Sequence, residues 1–386
     1  MKFTINSKAL FSAASVAEKS MRGKTLIPIL QNFLLVLGAD GLLTVSGTNL
    51  EVVGVASVPT LVHDGEGTFL VDAKKMSSLL KTFPDQPLTV DVRQSQSGSV
   101  VSISSSDGQY EINSAGSPSE YPNTGEEGAS DCAEMDKGTF LFCLNKVAPF
   151  SASEDDLRLI LATVNVSIKS GKAEFAATDA HICCHLPADV RCKSEANFSI
   201  PIAAVNTIRQ SLKDGDGNVS LSWSGTIGAK RGFISVSDGY AKITARLTDS
   251  EQSYPNYMAV YPTSYIYSAT LSKMDFVSKL KRLMVCSDDA CRLLRMQVGG
   301  ESVRLDFNGA YNGFSGVETI SPSNVDYDNT GGTMEVGFDV RQMLLLAENI
   351  SGDDLKLEVA SPSSPVSISD TDEDGARQIV MPLILN

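Results

Sequence analysis

The chain has no apolar run approaching the roughly 18 to 20 residues that a bilayer-crossing helix needs, which excludes a transmembrane helix. Its start, Met1-Lys2-Phe3-Thr4-Ile5-Asn6, enters an alternating pattern without the apolar core of a secretory signal, so a cytoplasmic location is expected. The seven cysteines show no C-x-x-C spacing, and in a chain of this length they read as reduced thiols rather than a disulfide framework. With three histidines (His63, His181, His185) and no G-x-S-x-G, a nucleophilic triad has little material.

Two stretches invite a site and fail on spacing. Gly23-Lys24-Thr25 has the ending of a phosphate-binding loop, but Glu18 stands where G-x-x-x-x-G-K-[ST] requires glycine, and no strand feeds it. In His181-Ile182-Cys183-Cys184-His185, alternation on a strand puts His181, Cys183 and His185 on one face. Successive same-face residues are then roughly 7 Å apart, too far for a tetrahedral ion with bonds near 2 Å. No catalytic residue, metal or cofactor is therefore expected.

What the chain does have is self-similarity. Glu120-Tyr121-Pro122-Asn123 returns as Ser253-Tyr254-Pro255-Asn256-Tyr257, so that Tyr121 and Tyr254 stand 133 positions apart. Ser46-Gly47-Thr48-Asn49 returns as Ala176-Ala177-Thr178-Asp179, at a spacing of 130 from Thr48 to Thr178, and Leu305-Asp306-Phe307-Asn308-Gly309 is a weaker third echo. A third of the 386 residues is about 129, the size of a small domain and too long for a solenoid repeat. The expected domains are 1–125, 126–258 and 259–386.

Each repeat reads as two helices among many strands. In the first, Leu10, Phe11, Ala14 and Ala17 give helical spacing over 7–18, and Met76, Leu79, Leu80 and Phe83 give it again behind Asp72, an N-cap. Strands are expected at 2–5, 32–37, 42–45, 50–58, 88–92, 100–104 and 110–114. The second repeat has a helix over 139–147, a hairpin around Gly171, a strand at 182–186 ending before Pro187, and a helix carrying Val205, Ile208 and Leu212. In the third, Ser272-Lys273-Met274-Asp275 reads as a capping box above Phe276, Leu280 and Leu283, and Asp339 opens a second helix. With no βαβ alternation, the fold class is α+β, with helix pairs laid on antiparallel sheets.

The net charge of −14 counts against nucleic acid only if it is evenly spread. Acids gather in loop-like segments, at Glu126-Glu127, Glu154-Asp155-Asp156, Asp353-Asp354 and Asp370-Thr371-Asp372-Glu373-Asp374. Bases gather on helices. Segment 7–24 sets Lys8, Lys19, Arg22 and Lys24 against Glu18, and segment 272–282 sets Lys273, Lys279, Lys281 and Arg282 against Asp275, each a balance of +3. Lys74, Lys75 and Lys81 oppose Asp72, Lys137 and Lys146 mark the middle repeat's first helix, and Arg209 and Arg341 mark weaker second helices. A solvated helix face explains one such cluster; a shared basic surface explains the recurrence. The apolar ending, Ile379-Val380-Met381-Pro382-Leu383-Ile384-Leu385, reads as an edge strand and docked tail beside a peptide groove, or as a last strand completing its own sheet.

In order and spacing, a set of segments resembles the bacterial sliding clamps, the beta subunits of DNA polymerase III. They are Met1-Lys2-Phe3-Thr4, Leu26-Ile27-Pro28-Ile29-Leu30-Gln31-Asn32, Gly47-Thr48-Asn49-Leu50-Glu51, Ala177-Thr178-Asp179-Ala180-His181, Tyr254-Pro255-Asn256-Tyr257, Met334-Glu335-Val336-Gly337-Phe338 and Val380-Met381-Pro382-Leu383. The resemblance implies three clamp domains per chain, a head-to-tail homodimeric ring with sheets outside and helices lining the hole, and duplex DNA sliding through a sequence-indifferent basic lining. Expected partners are duplex DNA, a polymerase III catalytic subunit, a clamp loader and other proteins carrying a clamp-binding peptide, with no membrane.

Residue by residue, the resemblance implies a peptide pocket of Leu161, Thr178, His181, Pro255, Val260, Gln342, Val380, Met381, Pro382 and Leu383. Where the family pattern has Gly, a basic residue, two aromatics and a basic tail residue, this chain has Ala180, Ile182, Gln342 and Cys291, and Ile384. DNA contacts are expected from Lys19, Arg22, Lys24, Lys74, Lys75, Lys81, Lys146, Arg158, Arg209, Lys273, Lys279 and Arg282. Leu159-Ile160 replaces an aromatic pair, which should remove stacking on DNA ends while leaving phosphate attraction. The ring seam is expected at Tyr110 and Ile112 on an edge strand and at Val285 and Cys286 after a helix. Two other readings stay open on the residues alone: a repeat-built interaction module that does not encircle DNA, and a zinc enzyme using His181 and Cys183.

Overall fold

The structure, a computed structural model, describes the chain except residues 24, 96–97, 123–130, 213–214, 225–231, 249–252, 288–290, 310–312, 328–331, 372–374 and 386. Among the described residues there are six α-helices, two for each sequence repeat: α1 (Ser7–Lys19), α2 (Ala73–Thr82), α3 (Lys137–Val147), α4 (Ile202–Ser211), α5 (Lys273–Val285) and α6 (Val340–Glu348). Five of these starts, all but that of α4 behind Pro201, follow side-chain capping of otherwise orphaned amides. The Asn6 side chain accepts from the amides of Lys8 and Ala9, Asp72 from Lys75, Asp136 from Thr139 and Asp339 from Arg341. At α5, Ser272 accepts from the Asp275 amide, but the expected reciprocal bond is replaced: the Asp275 carboxylate turns to Lys279 one turn on. A carboxylate at the fourth position gains more from a cation than from a neutral amide.

Three repeats pack as two units. The first comprises Met1–Leu141, Ile168–Gly171 and Val190–Glu251, the second Phe142–Ser167, Lys172–Asp189 and Gln252–Asn386. The middle repeat divides because its strands join the sheets of both neighbours. In the first unit, Ala241–Arg246 pairs antiparallel with Val52–Pro59 of the first repeat, which makes one sheet from Asp131–Asp136 through Asn218–Ser224 and Phe233–Ser237 to Leu42–Thr48, Asn32–Leu37 and Gly67–Asp72. In the second unit, Ile182–Asp189 pairs with Arg377–Val380 of the third repeat, with Ile182 opposite Val380 and Cys183 opposite Ile379.

Each unit also has a smaller sheet. In the first it runs Val62–Asp64, Lys2–Asn6, Pro87–Ser95, Gly98–Ser104, Gln109–Ala115, leaving Gln109–Ala115 as an edge. In the second it runs Phe314–Ile320, Ser302–Gly309, Leu293–Gly299, Met334–Asp339, leaving Phe314–Ile320 as an edge. Phe3, Phe33, Phe69 and Trp223 fill the first unit's core; Tyr267, Phe276, Phe307 and Phe338 fill the second's. The final strand, Arg377–Val380, is not an edge: it lies between Ile182–Asp189 and Val366–Asp370, so the tail completes its own sheet.

The recurrent Thr-Asx marker is one turn built twice. Thr48 Oγ1 donates to the Val52 carbonyl and accepts the Leu50 amide, while Asn49 Oδ1 accepts the amides of Glu51 and Val52. Thr178 Oγ1 donates to Ile182 and accepts Ala180, and Asp179 Oδ1 accepts His181 and Ile182. The residue between is forced left-handed, Leu50 at φ 78° and Ala180 at φ 79°. Leu50, expected within a strand, is therefore the corner before it, and the strand begins at Val52. Pro187, expected to end a strand, sits inside Ile182–Asp189.

Gly47 and Gly54 are direct cross-strand partners beneath α1. A β-carbon on Gly47 would stand 2.5 Å from the Ala17 carbonyl oxygen, and one on Gly54 2.8 Å from that of Val16. The helix backbone lies directly on the sheet there. Gly47→Ala should cost about 1–3 kcal/mol through overpacking, because a carbonyl cannot rotate away as a side chain can. Thermal unfolding followed by circular dichroism should show the lowered midpoint; an unchanged one would mean that α1 does not sit this closely.

Candidate peptide-binding pocket

The turn at Thr178–Ile182 fixes one wall of a cavity of about 350 Å³ in the second unit. Ile182 and Cys183 leave the turn on the strand that pairs with Arg377–Val380, and that register brings Ile379 and Met381 alongside. Ile160 and Leu161 come from the short helix Leu159–Leu161, tied down by the Ala152 amide donating to the Leu161 carbonyl. Pro255, Asn256, Tyr257 and Val260 close the opposite side, and Val260 ends the turn Tyr257–Val260. The lining is mainly apolar, with Thr178, His181, Ser253, Asn256 and Arg158 as polar members.

Six of the ten expected pocket residues line it: Leu161, Thr178, His181, Pro255, Val260 and Met381. The other four do not. Val380 points into the core of the sheet and is fully buried, Gln342 is half-buried on α6, and Leu383 is committed by its amide to the Gly337 carbonyl, with Pro382 before it. Alternation explains the split, since Ile379 and Met381 share one face of the strand and Val380 takes the other. Tyr257, Cys183 and Ile160 were missed, although the first ends the Tyr-Pro-Asn marker and the second is the same-face neighbour of His181.

Arg158, expected at DNA, also lines the cavity. Its guanidinium forms a two-pronged pair with Asp156, Nε to Oδ1 and Nη2 to Oδ2 both at 3.1 Å, and reaches the Asp179 carbonyl at 3.4 Å. The carboxylate of Asp156 is held below its ordinary range by these bonds from Arg158. The cation at the rim is thus already matched by an anion of its own loop.

Behind Tyr257 lies a polar aromatic layer. His185 is buried with Nδ1 on the Glu174 carboxylate and packs against Tyr257 and Tyr261 at ring separations of 5.5 and 4.8 Å. Tyr261 donates to the Arg377 carbonyl at 3.1 Å. Burial raises the pKa of Tyr254, Tyr257 and Tyr261 above the ordinary tyrosine value, and it pushes the Cys183 thiol up to about 12. His181, Cys183 and His185 go to three different places, the first exposed, the second in the pocket wall and the third on Glu174. Among the described residues no group of three or more His, Cys, Asp or Glu side chains is placed to hold a metal ion.

The expected DNA contacts divide sharply. Lys74, Lys75, Lys81, Arg22 and Arg282 are exposed, and Lys19, Arg209, Lys273 and Lys279 are half-buried. Lys24 lies outside the described residues. Lys146 does not belong to an exposed basic face: it is buried, with its ammonium on the Asn349 carbonyl at 2.6 Å and over the Phe142 ring. Lys137 is likewise withdrawn, 3.8 Å from Asp238. Of the acids read as solvated loop residues, Asp370 is buried and accepts the amides of Ser351 and Gly352. Of the seam residues, Tyr110 and Val285 are at the surface while Ile112 and Cys286 are buried. No described helix is long and apolar enough to cross a membrane.

Comparison with known proteins gives one answer along the whole chain. Residues 1–124 match the family described as DNA polymerase III beta subunit, N-terminal domain, residues 135–256 its central domain and residues 258–384 its C-terminal domain. The beta sliding clamp of Pseudomonas aeruginosa is 22% identical over 387 residues, covering 100% of both chains, and that of Caulobacter vibrioides is 24% identical over 394 residues, covering 99% of this chain and 100% of the other. The crystal structure of the DNA polymerase III subunit beta from Pseudomonas aeruginosa superposes with a TM-score of 0.88 at 21% identity, with 100% of each chain covered. That of the sliding clamp from Bacillus subtilis gives 0.88 at 17% identity, again with 100% coverage of both.

Two outcomes are expected at this site. Ala180→Gly should stabilise the protein by up to about 1 kcal/mol, since a left-handed L-residue costs roughly 1–2 kcal/mol and glycine returns part of that as lost chain entropy; a lowered melting midpoint would contradict it. Cys183, with its thiol pushed up to about 12, should stay protonated at pH 8 and react with a thiol reagent far more slowly than exposed Cys132, as read by mass spectrometry of the labelled peptides. Equal labelling would show that the pocket wall opens.

Proposed function

The chain belongs to the DNA polymerase III beta subunit family, and from that premise we propose that it is a processivity clamp without enzymatic activity of its own, acting in the cytoplasm. Two copies close head to tail into a ring around duplex DNA, and the pocket tethers the replicative polymerase, the clamp loader and other proteins that carry a suitable peptide. The observation that carries this reading is the recurrence of a helix pair in three repeats, with bases exposed or half-buried on α1, α2, α4 and α5 though withdrawn on α3, in a chain whose net charge is −14. A basic lining of that kind attracts phosphates without reading bases, which is what sliding requires. The recurrence also sets the reading above a repeat-built module that stays off DNA.

The two sheet edges supply the means of closure. Gln109–Ala115 and Phe314–Ile320 each end a small sheet, and the second shows Phe314 and Val317 at 53% and 51% exposure. Exposed apolar edges are normally covered in a soluble protein. Joining the first edge of one copy to the second edge of another is a heterologous contact, and two such contacts close a two-membered ring. Tyr110 and Val285, exposed near these edges, are the proposed seam residues, with Ile112 and Cys286 supporting them from below.

The pocket's size sets the strength of the tether. Two apolar side chains of Leu or Phe size, each worth about 1.5–3 kcal/mol on burial, together give about 3–6 kcal/mol before the cost of ordering the peptide. That favours micromolar, exchangeable binding, so partners can follow one another on the same clamp. Because Ile182 stands in the pocket wall and Arg158 is paired with Asp156, the peptide's apolar residues rather than acidic ones should carry affinity.

Retention on nicked circular DNA after loading, compared before and after linearisation, tests the reading directly. A ring should be lost on linearisation; equal retention on both forms would leave only an electrostatic binder. Phe314→Asp combined with Val317→Asp should convert a dimer of twice 41.1 kDa into monomers in sedimentation and abolish retention on circles.

A further inference from the structure

The basic residues of the two units are compensated to different degrees. In the second unit nearly every cation on α5 is met by a carboxylate or carbonyl of the same chain. Arg282 Nε lies 2.6 Å from Glu318, Lys281 Nζ 2.7 Å from Glu348, and Lys279 on Asp275 within its own helix. The Lys273 ammonium ends on the Ile350 carbonyl. The Arg282 bond holds the Glu318 carboxyl below its ordinary range, so the pair is charged on both sides. Adding Glu318 and Glu348 to the +3 of the α5 segment leaves +1.

The first unit differs. Lys74 and Lys81 on α2 are exposed and, among the described residues, have no carboxylate within ion-pair distance, while Lys75 alone pairs with Asp72, at 3.4 Å. Lys19 and Arg22 both end on Gln210, a neutral partner that leaves their charge in place. Lys19 is held below its ordinary value first by burial and then by Arg22 beside it, the mark of two uncompensated cations side by side.

We propose that the phosphate-attracting surface is one-sided: the α1 and α2 faces of the first unit draw DNA, and α5 of the second is kept near neutral by Glu318 and Glu348. This inference rests on the sliding-clamp reading and names which part of the lining works. A phosphate more than a few Å away meets Arg282 and Glu318 as a dipole, and screening over about 8 Å at physiological salt removes most of what is left. A phosphate that came close enough to take Arg282 would approach the Glu318 carboxylate as well. Lys74 and Lys81 need give up no such partner. The lining therefore holds DNA by a few contacts from the first unit of each copy, which keeps attraction low enough for sliding.

The test is the affinity of the full-length protein for a fluorescein-labelled 30-base-pair duplex, read by anisotropy from 50 to 200 mM NaCl, with melting curves confirming each variant folded. Lys74→Gln with Lys81→Gln should weaken binding several-fold and lower the salt slope by about 2, roughly one per phosphate contact. Arg282→Gln with Glu318→Gln, or Lys281→Gln with Glu348→Gln, each removing both members of a pair, should change affinity less than about twofold, since the two charges cancel at a phosphate. Glu318→Gln and Glu348→Gln, singly and together, should tighten binding and steepen the slope. Equal losses from the lysine pair and from the removal of whole ion pairs, or no gain from removing the glutamates alone, would overturn the inference. Retention of the wild-type protein on nicked circles, run alongside, separates the two levels: failure there with the charge pattern intact removes the clamp reading and leaves a one-sided DNA-binding surface.

Discussion

The register between Ile182–Asp189 and Arg377–Val380 is the constraint on which the binding site depends. It is a short antiparallel pairing between residues almost two hundred positions apart, and it places Cys183 opposite Ile379 and Ile182 opposite Val380. A slip of one residue would turn Ile379 and Met381 away from the cavity and Val380 toward it. Ile160 and Leu161 and the Tyr257–Val260 turn then have a floor to close over. The equivalent pairing in the first unit, Ala241–Arg246 on Val52–Pro59, is the same device used a second time.

That sharing explains why three repeats form two units. A small α+β repeat exposes sheet edges that must be covered, and continuous sheets cover them without added elements. The middle repeat gives strands in both directions and so loses its independence as a packing unit. Edges are left open at Gln109–Ala115 and Phe314–Ile320, in the first and the last repeat.

The duplicated Thr-Asx turn shows how one piece of local chemistry serves two ends. Thr48 and Thr178 make the same bonds, and Leu50 and Ala180 take the same left-handed corner. In the first unit the turn merely returns the chain to its sheet. In the second it presents His181 and Ile182 to a cavity, because Ile160, Leu161 and the Tyr257–Val260 turn pack around it there. The difference lies in what packs against the turn.

The sequence by itself determined the repeat, the six helices and three of their caps, the antiparallel class and six of the residues that line the cavity. Those features follow from local rules: period, capping chemistry and spacing act over a few residues and can be read from them. Only the tertiary structure decided which face of Arg377–Val380 meets the pocket, that Arg158 stands at its rim, and that Lys146 is buried on Asn349. It alone revealed that Glu318 and Glu348 meet the bases of α5, since one acid lies 36 positions beyond Arg282 and the other on a separate helix. The sign of a charge is legible in a sequence, but what remains of that charge depends on which distant side chain the fold sets beside it.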